Sequence, residues 1–197
     1  MLPLIFTNHA TVWILYTAYV IWLVPEFIHT FTHRVDAKSM TDDRRSGMGI
    51  GISIWVGIFL AHWLARATPR ADVMWHPTLL FAIGIVLMVI GVAFRWYAVA
   101  VLGKYFSTRL AIQPGQTVIQ AGPYRWIRHP SYTGALITML GLGLVFTNWL
   151  SLISMLVAGF IGYSYRVMVE EQILIAALGD PYREYMKRTK RFIPFVY

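Results

Sequence analysis

Cysteine is absent from the 197 residues, which excludes a disulfide framework and any thiolate metal centre. Charge is scarce: Asp, Glu, Lys and Arg make up 13% of the chain, where a soluble domain carries roughly 25%. With 57% hydrophobic side chains, the chain has too little polar surface to cover itself in water, and composition places it among membrane proteins. Acid is the scarcer sign, 9 residues against 17 Lys and Arg. The resulting charge of +8 is not a nucleic-acid footprint, because the basic residues sit in short loops between apolar runs rather than on one soluble face. Lys and Arg are also missing from Met1 to Ala10. The apolar run that follows is longer than the ~7–15 residues of a signal-peptide core and reads as a retained membrane helix. The sequence has no internal repeat and no low-complexity tract.

Long apolar runs are present instead. Residues 10–31, 48–65, 77–102, 131–146 and 149–165 each reach or approach the ~20 residues of a membrane span. Only Thr147 and Asn148 separate the last two, which forces an antiparallel helical hairpin. The expected fold is an all-α integral membrane protein of about five transmembrane helices, with three spans in residues 1–102 and a catalytic region in 103–197. Its eight Trp suit the membrane–water interfaces. Arg34, Lys38, Arg44 and Arg45, then Lys104, Arg109, Arg125 and Arg128, then the tail residues Arg183, Lys187, Arg188, Lys190 and Arg191 fall on one side of such a bundle. Arg66 and Arg70 alone fall on the other. That asymmetry predicts a cytoplasmic C-terminus and an N-terminus on the opposite face. Residues 167–188 carry apolar side chains at helical spacing, broken at Gly179-Asp180-Pro181, and predict amphipathic helices that lie on the membrane and close a site.

Two stretches carry chemistry. Gln116 to Tyr132 joins a basic loop to a span, with a turn at Gly122-Pro123 and Pro130 placed to open a helix. Arg128, His129, Ser131 and Tyr132 cluster at that helix N-terminus, where free backbone N–H groups favour anions such as the carboxylate of an amino-acid-like cofactor. Arg166, Glu170 and Glu171 follow the last span. Arg166 and Glu170 share a helix face, so the guanidinium is available to a substrate carboxylate and a Glu to a cofactor ammonium. Two weaker patterns have plainer readings. Glu26, His29 and His33 have metal-ligand spacing but read as interfacial side chains at a helix end. Gly47-x-Gly49-x-Gly51 lacks the strand of a phosphate loop and reads as close helix packing through Gly47 and Gly51.

The run Gly122-Pro-Tyr-Arg-Trp-Ile-Arg-His-Pro-Ser-Tyr-Thr-Gly134 resembles the RHPxYxG region of isoprenylcysteine carboxyl methyltransferases. Arg166-x-x-x-Glu170-Glu171, followed by Leu174, Gly179, Tyr182, Tyr185 and Ile193-Pro194, resembles that family's C-terminal block, and Arg95 to Phe106 its helix-exit segment. The resemblance covers residues 95–197. It implies a cytoplasmic pocket for S-adenosyl-L-methionine, with Gln116, Thr117, Val118, Ile119, Tyr124, His129, Pro130, Ser131, Tyr132 and Glu171 on the cofactor. Arg166 would face a lipophilic or prenylated acceptor entering from the bilayer, with Glu170 beside it. The chain is short, as in the prokaryotic branch of the family, so the resemblance speaks more to the methyl donor than to the acceptor. Methyl transfer to phosphatidylethanolamine, an NADPH-dependent sterol-type reductase and a non-catalytic membrane scaffold stand as alternatives.

Overall fold

The computed structural model describes residue 6, residues 8–32, 44–107, 112 and 115–193. Six α-helices run through these residues: α1 His9–Thr32, α2 Arg44–Ala67, α3 Pro77–Leu102, α4 Pro130–Val145, α5 Trp149–Leu178 and α6 Asp180–Arg188. α1, α2, α3 and α5 are long and apolar enough to cross a membrane. Their outer faces carry exposed large side chains, among them Trp13, Trp55 and Phe59, which is the surface a helix presents to lipid. α4 has 16 residues, about 24 Å at helical rise, short of the ~30 Å hydrocarbon layer. Most of α4 is buried by its neighbours, so protein rather than lipid surrounds it and full bilayer length is not required.

Glycine makes the α3–α4 contact. Gly84 faces Gly141 and Gly91 faces Gly134, seven residues apart on each antiparallel helix. A Cβ at Gly134 would stand 2.7 Å from both the Arg95 amide and the Gly91 carbonyl, and one at Gly91 would stand 2.6 Å from the Gly134 carbonyl. Small residues that let two backbones meet are how helices associate where lipid competes for apolar side chains. Gly134→Leu is therefore expected to separate α3 from α4. Its thermal midpoint in detergent should fall by at least the few degrees that overpacking of about 1–3 kcal/mol produces, whereas Gly51→Leu should leave stability nearly unchanged. Gly51 has open space around its Cα. The expectation that Gly47 and Gly51 pack helices together therefore fails, and both residues line a cavity instead.

The two-residue turn Thr147-Asn148 builds the expected α4–α5 hairpin. Asn148 caps α5 by accepting from the Ser151 amide, and its Nδ2 donates to the Thr68 carbonyl and, at 2.8 Å, to Asp72. This fastens the hairpin to the α2–α3 connection. α5 does not stop near Tyr165 as expected. It continues for 30 residues, about 45 Å, so residues 167–178 extend the last membrane helix rather than lie flat. The break falls at Gly179, whose φ of 62° suits glycine, and only α6 turns away. His33 and the side chain of His29 lie outside the described residues, while Glu26 pairs with Arg95.

Candidate functional site: two adjoining cavities

Described residues between Leu102 and His129, the N-terminus of α4, the far end of α5 and α6 line a cleft of about 840 Å³, open mouth included. Of the residues that the family resemblance puts on a cofactor, Gln116, Thr117, Val118, Ile119, Tyr124, His129, Ser131 and Tyr132 line this cleft. Glu170 lines it too, and its Oε2 accepts a 2.7 Å hydrogen bond from the Tyr132 hydroxyl. The His129 and Tyr132 rings stack, with centroids 5.6 Å apart. Leu174 and Leu178 from α5, and Tyr182 and Tyr185 from α6, supply the opposite wall. Tyr185 Oη donates to the Tyr124 carbonyl at 2.7 Å, which ties α6 to the loop. Burial pushes the phenols of Tyr124, Tyr182 and Tyr185 above their ordinary range; Glu170 adds to this at Tyr124, and Glu171 and Glu170 at Tyr182.

Pro130, Glu171 and Arg166 are not on this wall. Pro130 is buried as the first residue of α4. Glu171 sits behind the cleft, its side chain 4% exposed, and both oxygens are engaged. Oε1 accepts from Arg128 Nε and Oε2 from Arg191 Nη2, each at 2.8 Å, and His129 Nε2 lies 3.4 Å from Oε1. Arg128 continues outward to the carbonyls of Met186 and Thr189. The tail pairs with the motif loop through Arg128 N–H to Lys190 O, His129 N–H to Arg191 O and Lys190 N–H to Trp126 O. Glu171 is thus the hub that holds the C-terminal tail against the Arg128-His129 turn.

Arg166 belongs to a second cavity of about 1000 Å³, open mouth included, between α1, α2, α3 and α5. Trp22, Leu23, Ile50, Ile54, Trp55 and Ile58 make its wall largely apolar, and Leu23 and Trp55 are also exposed, so its mouth opens on the lipid-facing surface. Arg166 is buried and donates to Ser46 Oγ. Arg95 also lines this cavity and grips Glu26 with Nε and Nη2, while its Nη1 donates to the Ser131 carbonyl at 3.2 Å. Sequence reasoning passed over this pair. The signal was available: Glu26 and Arg95 are lone opposite charges in two different spans, and such residues are expensive unless paired or functional. The two cavities share Phe106, Ser107 and Tyr132 as a common wall.

Fold and site together define a multi-pass helical membrane protein in which a polar, aromatic cleft adjoins a lipid-facing apolar cavity lined by two arginines. Residues 83–176 match the Isoprenylcysteine carboxyl methyltransferase (ICMT) family. The chain is 31% identical over 121 residues to protein-S-isoprenylcysteine O-methyltransferase of Xenopus laevis, covering 60% of this chain and 42% of that protein. It is likewise 31% identical over 116 residues to the Saccharomyces cerevisiae enzyme of the same name, covering 58% of this chain and 48% of that one. Over 93 residues it is 26% identical to the uncharacterized protein YpbQ of Bacillus subtilis, covering 47% of this chain and 55% of that one. The chain spans about half the length of the curated relatives it matches. In architecture it is similar to the eukaryotic intramembrane Ras methyltransferase ICMT solved without a monobody, with a TM-score of 0.59 at 19% identity over 91% of this chain and 63% of that one.

Proposed function

We propose that this protein is an integral-membrane methyltransferase that uses S-adenosyl-L-methionine to esterify the carboxylate of an isoprenylcysteine-like or other lipophilic acceptor. The observation that carries the reading is the shared wall at Tyr132, which brings a polar cleft and a lipid-facing cavity within reach of one another. A charged nucleoside donor and a greasy acceptor need separate entrances and one meeting point.

The cleft fits the donor. Val118, Ile119, Leu174 and Leu178 offer an apolar slot for a base, Glu170 is a carboxylate for an ammonium, and Tyr124 and Tyr132 present rings suited to a cationic sulfonium. The His129 ring stacks on Tyr132 at the cleft wall, with its Nε2 turned to Glu171 behind it. When bound, S-adenosyl-L-methionine supplies an electrophilic methyl group, and the acceptor oxygen displaces a neutral thioether from it. The protein's task is then to hold and align. Arg166 presents a guanidinium to the acceptor carboxylate, and the apolar cavity receives its hydrocarbon and excludes water, which strengthens that contact. A carboxylate with a pKa near ~4 is already ionised at neutral pH, so no residue need act as a base. The basic loops and tail give the cleft a cytoplasmic orientation, facing the soluble donor. Residues 1–102 shape the acceptor cavity as well as anchor the catalytic region, and the partners are membrane lipids and the acceptor rather than nucleic acid.

Calorimetry on the detergent-purified protein should detect S-adenosylhomocysteine and no NADPH; the reverse would make the protein a reductase. With an S-prenylated N-acetylcysteine as acceptor, kcat should stay flat between pH 6 and 9, since the acceptor is ionised throughout and the cleft tyrosines are pushed to higher pKa. A rate rising with pH through that window would point to a protonated amine as the acceptor.

A further inference from the structure

At the opposite end of α2, roughly 28 Å from Gly47 at helical rise, α1 and α2 part around another cavity. It has about 770 Å³ of empty space, open mouth included, and is lined by Val12, Leu15, Tyr19, His62 and Arg66 among others. Nothing in the methyl-transfer reading uses it. Its walls are apolar along Val12 and Leu15, and three polar groups converge on it. The Tyr19 hydroxyl is shielded from solvent and has no hydrogen-bond partner among the described residues. His62 Nδ1 lies 3.0 Å from the Ile58 carbonyl, a contact that makes Nδ1 the donor and leaves Nε2 free of the backbone. The Arg66 guanidinium lies 4.2 Å from the Phe6 ring centroid.

Arg66 lacks a carboxylate partner among the described residues, and the sequence explains why. The acids among the described residues are Glu26, Asp72, Glu170, Glu171, Asp180 and Glu184, and of these Asp72 alone falls at this end. Asp72 is committed to Asn148. The exposed rings of Trp13, Trp63 and Trp75 surround this end, the level at which aromatic belts meet headgroups. An unopposed guanidinium at headgroup depth, with an imidazole one turn below it and an unsatisfied phenol deeper along an apolar groove, matches a phosphate that carries ester-linked hydrocarbon.

We infer that this cavity is a binding site for the phosphate headgroup of an anionic phospholipid. Arg66 donates to the phosphate oxygens with His62 below it, and the lipid runs inward past Val12 and Leu15 between α1 and α2 to Tyr19, whose hydroxyl, deeper in the span, donates to an ester carbonyl. The lipid is a resident ligand, separate from the methyl acceptor.

The test uses the full-length protein, stripped of lipid in neutral detergent, with native mass spectrometry and thermal melting as readouts. Phosphatidylglycerol should stay bound to the wild type and raise its melting temperature, while diacylglycerol should do neither. Arg66→Gln should weaken retention at least ~10-fold while still binding S-adenosylhomocysteine; Arg66→Lys should keep most of it; Tyr19→Phe should weaken it several-fold. Arg70→Gln, an exposed arginine at the same end, should change nothing. The inference is overturned if Arg66→Gln retains lipid like the wild type, if Arg70→Gln loses as much, or if diacylglycerol binds as well. Equal stabilisation by millimolar inorganic phosphate would make this a small-anion site and overturn the lipid assignment. Should Arg66→Gln fail to fold, Tyr19→Phe and Arg66→Lys decide the matter.

Discussion

Arg166→Ala is expected to reduce kcat/KM for a prenylated carboxylate acceptor by ~10²–10³-fold, about 3–4 kcal/mol of transition-state stabilisation, with S-adenosylhomocysteine affinity changed less than ~2-fold. The split follows from position. Arg166 lines the apolar cavity and not the cleft, and it is buried, so water cannot replace it. Without it, an ionised carboxylate would enter a largely apolar chamber with one fewer cation to meet it, and desolvation would oppose binding. Arg166→Lys should recover only part of the loss, because an ammonium is a point charge and does not reproduce the planar fork that grips two oxygens. Methyl-transfer kinetics and calorimetry on the same preparations check both halves. Full turnover by Arg166→Ala would remove it from the acceptor site.

Arg95 stands beside it with a different task. Its guanidinium is already committed to Glu26 and to the Ser131 carbonyl, so it links α1, at the apolar cavity, to the first turn of α4, at the cleft. Arg166 donates to Ser46 Oγ and lies beside Tyr132, the residue that both cavities share. That position, on the cavity side of the common wall, is why the acceptor contact is assigned to Arg166.

The spans were legible because hydropathy reports the free energy of placing a segment in lipid, and α3 begins and ends where Pro77 and Gly103 put it. The loop that lines the cleft was legible from a dense local motif whose members fold within a few residues of one another. What stayed hidden depends on distance along the chain. Glu26 and Arg95 are 69 positions apart, and hydropathy cannot say which face of α1 turns toward α3. The glycines at 84, 91, 134 and 141 carry a seven-residue spacing that marks a helix interface, but the spacing names no partner. Gly47 and Gly51 have a similar pattern and line a cavity, because small residues open space as readily as they close it. The roles of Glu170 and Glu171 turn on roughly 100° of helix rotation. The sequence placed them on neighbouring faces but could not tell which face met the cleft.

Glu171→Ala should abolish measurable S-adenosylhomocysteine binding, a loss of at least ~100-fold, although Glu171 does not line the cleft. Removing its carboxylate strands Arg128, whose side chain is 9% exposed, and leaves a buried charge uncompensated. Breaking a buried pair in this way costs about 3–5 kcal/mol. That exceeds what one short strand pairing supplies, so the tail that contributes Lys190 O and Arg191 O to the Arg128-His129 turn is expected to detach. Hydrogen exchange at residues 189–192 should accelerate in Glu171→Ala and, more weakly, in Arg191→Ala. Glu170→Gln gives the contrast: it removes a charge from the cleft wall but leaves the hub intact, so affinity should fall ~10-fold with the tail still protected. If Glu171→Ala loses the cofactor analogue while the tail exchanges as slowly as in the wild type, Glu171 acts on the ligand directly, as its sequence position first suggested. If protection and affinity are lost together, the residue works through Arg128 and the tail, and the C-terminal strand is part of the cofactor site.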